Sequence, residues 1–147
     1  YVLEQFARAH GYRVFAFTAT DENNKPVYHT NVMMHIGEGY AVVCTECIRD
    51  EMERIALKQL LIATGHEIIE ISMEQVHLFA GNMIQVRNKK EKKFTLLSAS
   101  ALGSLLSKQK KGLKQYSKLI AADIEMIEKA GGGSVRCMVA ENFLLPK

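Results

Sequence analysis

Three short segments of this chain can be laid over one another: Tyr-His-Thr-Asn-Val-Met-Met-His-Ile from Tyr28, Phe-Ala-Gly-Asn-Met-Ile-Gln-Val-Arg from Phe79, and Gly-Gly-Gly-Ser-Val-Arg-Cys-Met-Val from Gly131. Asn31, Asn82 and Ser134 fall at matching places, 51 and 52 residues apart. A period near 50 residues, holding two adjacent strands, a helix and a third strand, is a supersecondary unit that cannot bury its own faces and must pack on copies of itself. Copies arranged about an axis bring corresponding segments to its centre, so His29, Asn82 and Cys137 are expected to converge. The competing reading is chance likeness among short apolar strands.

The pattern between these segments supports alternating strands and helices. A helix is expected over Tyr1 to His10, a strand over Tyr12–Thr18, and a loop over Asp21–Pro26. Strands Asn31–Ile36 and Tyr40–Thr45 should join through a short turn at Gly37–Gly39. Met52, Ile55, Ala56, Gln59, Leu60 and Ala63 recur mostly at three and four, which predicts a helix with Gly65 as its stop. Glu67–Ser72 then alternates as a strand. The order repeats with strands Met83–Arg87 and Phe94–Ser98 about a charged hairpin, a helix around Leu106–Ala121, a short extended piece near Ile124–Ile127, and a last strand at Ser134–Ala140.

Composition narrows the function classes. With 147 residues, 48% of them hydrophobic, the chain can bury one real core. No apolar run reaches the roughly 18 residues that span a bilayer, and no N-terminal stretch reads as a signal peptide, so a soluble cytoplasmic protein is expected. The net charge is only +3, with basic runs in Arg87 to Lys93 and Lys108 to Lys118. Those runs lack the interleaved aromatics of a nucleic-acid platform and read as solvated faces. Three cysteines, Cys44, Cys47 and Cys137, do not make a disulfide scaffold. Cys44 and Cys47 form a C-x-x-C, but no second ligand pair at zinc spacing accompanies them, so redox or metal use is the lesser reading.

Val-Tyr-His-Thr-Asn-Val from Val27, Phe-Ala-Gly-Asn-Met from Phe79 and Gly-Gly-Gly-Ser-Val-Arg-Cys-Met from Gly131 resemble the second half of the amidinotransferase and arginine deiminase superfamily of guanidino-modifying enzymes. The citrulline-utilisation hydrolases are the branch they resemble most. The resemblance implies a pentein-type, pseudo-fivefold α/β propeller of ββαβ modules, of which residues 1–147 hold about two and a half as the C-terminal part of a single domain. It implies that the remaining blades and the family's catalytic carboxylate precede Tyr1. A truncated chain is therefore expected, with a homodimer as the family's usual assembly.

The same resemblance makes Cys137 the nucleophile and His29 its acid–base partner. A free thiol is a weak nucleophile at neutral pH and needs a hydrogen-bonding or positive setting; the glycines before Cys137 let the backbone approach a ligand closely. Asn31, on the expected strand with His29, can place a neutral amide on the substrate head group, which suits a neutral ureido group better than a guanidinium cation. Asn82 is expected to contact substrate or hold the pocket backbone, and Gly132 and Ser134 join the substrate-binding set. Arg136 is expected to point away from Cys137. No metal or cofactor is required. The expected ligand is a small guanidino or ureido amino acid such as citrulline, without nucleic acid or membrane partners. An amidinotransferase passing the group to an amine, or a noncatalytic binding protein on the same fold, are the alternatives.

Overall fold

The backbone is organised around two three-stranded sheets of the same construction. The computed structural model describes residues 2–140; Tyr1 and residues 141–147 lie outside them. Helix α1 (Val2–His10) and a stretch of irregular chain lead to a single turn, α2 (Thr30–Met33). The first sheet follows, from β1 (Met34–Gly37), β2 (Tyr40–Val43) and β3 (Glu67–Glu70), with α3 (Glu51–Ala63) in the crossover. After α4 (Met73–His77) comes the second sheet, β4 (Ile84–Arg87), β5 (Lys93–Ser98) and β6 (Lys118–Ala122), with α5 (Ala99–Ser104) and α6 (Ser107–Tyr116) in its crossover. Helix α7 (Glu125–Gly131) and a 3-10 turn, Val135–Met138, complete the described chain.

In each sheet the first two strands run antiparallel and the third joins the second in parallel. This is the ββαβ unit that the 51-residue spacing predicts. Strand β2 is buried along its whole length, as a central strand covered on both faces must be. Burying Val42 or Val43 there is worth about 1.5–3 kcal/mol each. Leu57 and Leu61 of α3, Leu97 of β5 and Leu113 of α6 close the core around them.

Local chemistry sets the helix starts. The Asp50 carboxylate accepts the Glu53 N–H at the head of α3, and Ser72 and Gln75 form a reciprocal capping box on α4. The buried face of α3 is narrower than its apolar positions. Met52 is 74% exposed and Ile55 and Leu60 are also exposed, whereas Leu57 and Leu61 are buried. Apolar residues surround this helix, so its period alone cannot select a face.

Five expectations are corrected. Residues 12–18 pair in no strand. The segment 31–36 begins as the α2 turn rather than as a strand, because the His29 ring accepts the Asn31 N–H and caps it. The expected long helix 106–121 stops at Tyr116, where β6 begins, and the expected extended piece at 124–127 belongs to α7. Residues 134–140 carry a 3-10 turn instead of a strand.

A buried polar chain joins the two sheets. His35 Nε2 lies 3.1 Å from the Tyr40 hydroxyl, which lies 2.7 Å from Thr95 Oγ1, itself 2.5 Å from Ser117 Oγ. Tyr40 and Thr95 are wholly buried, and His35 is 8% exposed. Burial, and secondarily the Arg136 guanidinium, lower the His35 pKa from 6.5 to about 4. The neutral ring therefore contributes stability that is complete above pH 6.5 and is lost as the pH falls toward 4, by about 3 kcal/mol at the limit. His35→Gln removes that proton-binding site while keeping a polar group. Urea midpoints measured from pH 7 to pH 4 should fall more steeply for the wild type than for the variant; parallel curves would place the acid sensitivity elsewhere.

Candidate active site

Asn82 is placed by close packing of its own turn against α2. Phe79 adopts a positive φ of 62°, and Asn82 N–H donates to the Phe79 carbonyl at 2.9 Å. Gly81 lies so near the other segment that a Cβ there would sit 2.5 Å from the Val32 carbonyl oxygen. Only glycine allows this approach. The buried Asn82 carboxamide then reaches three places. Its Nδ2 donates to the Asn31 carbonyl at 3.0 Å and to Cys137 Sγ at 3.2 Å, and its Oδ1 accepts the Arg136 N–H at 3.1 Å. In the thiol form, Cys137 can instead donate to Oδ1 at 3.6 Å.

Cys137 rides on the 3-10 turn after α7. That helix ends at Gly132, whose left-handed conformation (φ 68°) lets its N–H return to the Glu128 carbonyl. The backbone then extends through Ser134, and the Cys137 N–H donates to the Ser134 carbonyl at 3.0 Å. Cys137 is exposed, whereas Cys44 and Cys47 are wholly buried. Its sulfur borders a cleft of about 250 Å³ lined by Tyr28, Val32, His77, Phe79, Asn82 and Gly132, among others.

His29 does not line this cleft. With Asn31, His35, Met83 and Arg136 it lines a second cavity of about 280 Å³. His29 Nδ1 accepts the Asn31 N–H at 3.3 Å, which leaves the proton of the neutral ring on Nε2. The three repeats do converge at Asn82: it touches Cys137 directly and Asn31 through the backbone. Gly132 lines the Cys137 cleft. Ser134 does not face it, because that residue is wholly buried and its hydroxyl donates to Glu128 Oε1 at 2.6 Å.

Arg136 lines the cavity with His29 instead of lying on the far face of a strand, since the 3-10 turn abolishes strand alternation. Its Nη1 donates to the Val139 carbonyl at 3.1 Å. Two residues outside the expected site set form a pair here: His77, which lines the Cys137 cleft, and Glu22, whose Oε2 lies 3.2 Å from His77 Nε2. Only proximity in three dimensions, not spacing, identifies that pair.

Cys44 and Cys47 pack in the core. The neighbouring Cys44 thiol and burial push the Cys47 pKa up, and its S–H donates to Met73 Sδ at 3.8 Å. Among the described residues no group of three or more His, Cys, Asp or Glu side chains could hold a metal ion, and no helix is long and apolar enough to cross a membrane.

The sequence profile of the eukaryotic N,N-dimethylarginine dimethylhydrolases matches residues 1–144. Among solved structures, the apo form of ArgZ, an arginine dihydrolase from the ornithine–ammonia cycle in cyanobacteria, resembles the chain with a TM-score of 0.69 at 17% identity, over 97% of this chain and 21% of that one. The product-bound N-terminal domain of ArgZ gives 0.68 at 17% identity, over 92% and 44%. AgrE in complex with ornithine and NAD+ gives 0.60 at 16% identity, over 82% and 15%. No curated protein matches the sequence. The chain thus spans about a fifth of the first of these structures and under half of the second. At such identities the likeness establishes the fold, the mixed α/β pentein type.

The Asn82 carboxamide holds the Cys137 sulfur in place, and a typical hydrogen bond is worth about 0.5–1.5 kcal/mol. Asn82→Ala should therefore change the rate of Cys137 alkylation by iodoacetamide by about two- to tenfold, and Asn82→Asp, which puts a carboxylate against the sulfur, should slow it. Mass spectrometry of the labelled protein gives the rates. Equal rates in wild type and both folded variants would mean that the carboxamide does not act on the sulfur.

Proposed function

We propose, because this chain belongs to the eukaryotic N,N-dimethylarginine dimethylhydrolase family, that it hydrolyses a carbon–nitrogen bond of a guanidino or ureido compound with Cys137 as nucleophile. The observation that carries the reading is the hydrogen bond from Asn82 Nδ2 to an exposed thiol at the mouth of a cleft. The Cys137 thiolate attacks the planar carbon and forms a C–S bond. As the tetrahedral intermediate collapses, the C–N bond breaks and the departing nitrogen takes a proton from Nε2 of His29 in its imidazolium form, leaving the neutral ring with Nε2 free. Water then loses a proton to that nitrogen and attacks the thio-intermediate, releasing the product, the free thiolate and the imidazolium.

The preferred head group in this reading is a neutral ureide, as in citrulline. Asn31 offers a carboxamide rather than a carboxylate, and the described residues lining the two cavities include no Asp or Glu. A carboxamide meets a neutral head group at a lower desolvation cost than it meets a guanidinium cation. A second reading gives the acid–base role to His77, which shares the cleft with Cys137 and is held by Glu22.

In the full-length protein, Cys137→Ala should abolish turnover of citrulline, arginine and N,N-dimethylarginine alike while leaving the fold intact. Retention of more than a few per cent of the wild-type rate on the best substrate would rule out the nucleophile assignment. A wild-type preference for either guanidino compound would remove the ureide reading and leave the nucleophile untouched. His29→Ala should cost about 10²–10⁴-fold in kcat and His77→Ala far less. The reverse ranking would select His77.

A further inference from the structure

Glu128 is a buried carboxylate that the proposed reaction does not use. It is 5% exposed, yet both oxygens are engaged. Oε1 accepts the Ser134 hydroxyl at 2.6 Å, and Oε2 accepts the Ser100 hydroxyl at 2.8 Å. Its backbone carbonyl accepts the Gly132 N–H at 3.0 Å. One residue thus grips the segment before Cys137 at two points and ties it to α5 of the second sheet. Among the described residues no cation forms an ion pair with this carboxylate, so its attachment rests on the two hydroxyls.

We propose that Glu128 is a positioning residue for the Cys137 sulfur, resting on the reading of Cys137 as the nucleophile. The route is short. The Ser134 hydroxyl is held by Glu128, and the Ser134 carbonyl accepts the Cys137 N–H. Asn82 grips the same turn from the opposite side, through the Arg136 N–H and the sulfur itself. Two independent anchors define a turn in space, whereas one leaves it free to pivot. Glu128 supplies the second anchor, and Ser100 fixes that anchor to α5, in the crossover of the second sheet. A glutamine in its place can still accept the Ser134 hydroxyl through Oε1 and donate through its amide to Ser100, which accepts as readily as it donates. An alanine can do neither.

The test compares Glu128→Ala, Glu128→Gln, Ser134→Ala and Ser100→Ala in the full-length protein, with two readouts. The first is kcat and KM for the best substrate. The second is the rate of iodoacetamide alkylation of Cys137 across pH, which needs no turnover and is not masked by the wholly buried Cys44 and Cys47. A displacement of about 1 Å at a reacting atom costs on the order of 100-fold. Ser134→Ala and Glu128→Ala are therefore expected to lower kcat by roughly 10- to 100-fold at little-changed KM and to alter the alkylation profile. Glu128→Gln should restore both to within about threefold of wild type, and Ser100→Ala should fall between. Ser134→Ala with wild-type kcat and alkylation overturns the inference even if Glu128→Ala does not fold, as does a folded Glu128→Gln no better than Ser134→Ala. If Cys137→Ala itself stays active, the reading of the nucleophile fails instead.

Discussion

Everything around the candidate site depends on one carboxamide in a place from which water is excluded. The Asn82 side chain joins its own repeat to the other two, through the Asn31 carbonyl, the Arg136 N–H and the Cys137 sulfur. A buried amide left unpaired costs about 1–3 kcal/mol, so these contacts constrain one another. Moving α2, or the turn that carries Cys137, strands a polar atom. The repeats meet here because equivalent segments of repeated units face a common centre, and the middle one supplies a side chain with both a donor and an acceptor to hold its neighbours.

The thiol benefits from an amide more than it would from a fixed charge. Nδ2 can donate to a thiolate and Oδ1 can accept from a thiol, at 3.2 and 3.6 Å, without a change of rotamer. Both protonation states of sulfur thus find a partner in the same side chain. A lysine would favour one state only, and an aspartate would oppose the charged one. The apolar residues of the adjacent cleft, Val32 and Phe79 among them, reduce the competing solvation of whatever binds there.

Much of this arrangement was legible in the sequence, and the misses have physical causes. The repeat was readable because β1 and β4 are preceded by aligned asparagines and because β2 and β5 are apolar runs between charged turns. The convergence of Asn82 on Cys137 followed from that repeat alone. The segment 31–36 reads as a strand because its apolar residues alternate, yet the ring of His29 caps a helical turn there, an interaction between neighbours that periodicity ignores. Residues 134–140 also alternate, through Val135, Cys137 and Val139, but the left-handed Gly132 and the Glu128–Ser134 bond wind them into a 3-10 turn. That winding is why Arg136 reaches the cavity and Ser134 does not. The pairing of His77 with Glu22 joins a helix end to a loop 55 residues earlier, and no local pattern could announce it.

The line of groups from His35 to Ser117 has a direction as well as a strength. Each hydroxyl has a single hydrogen to give. If His35 Nε2 lacks a proton, Tyr40 must donate to it, Thr95 to Tyr40 and Ser117 to Thr95; if Nε2 carries the proton, all three arrows reverse. His35 lines the cavity with His29 and Arg136, while Ser117 ends α6 and introduces β6. The position of one hydrogen on a ring beside the cavity and the orientation of a hydroxyl at the far helix end are therefore a single variable, written in the core of the protein.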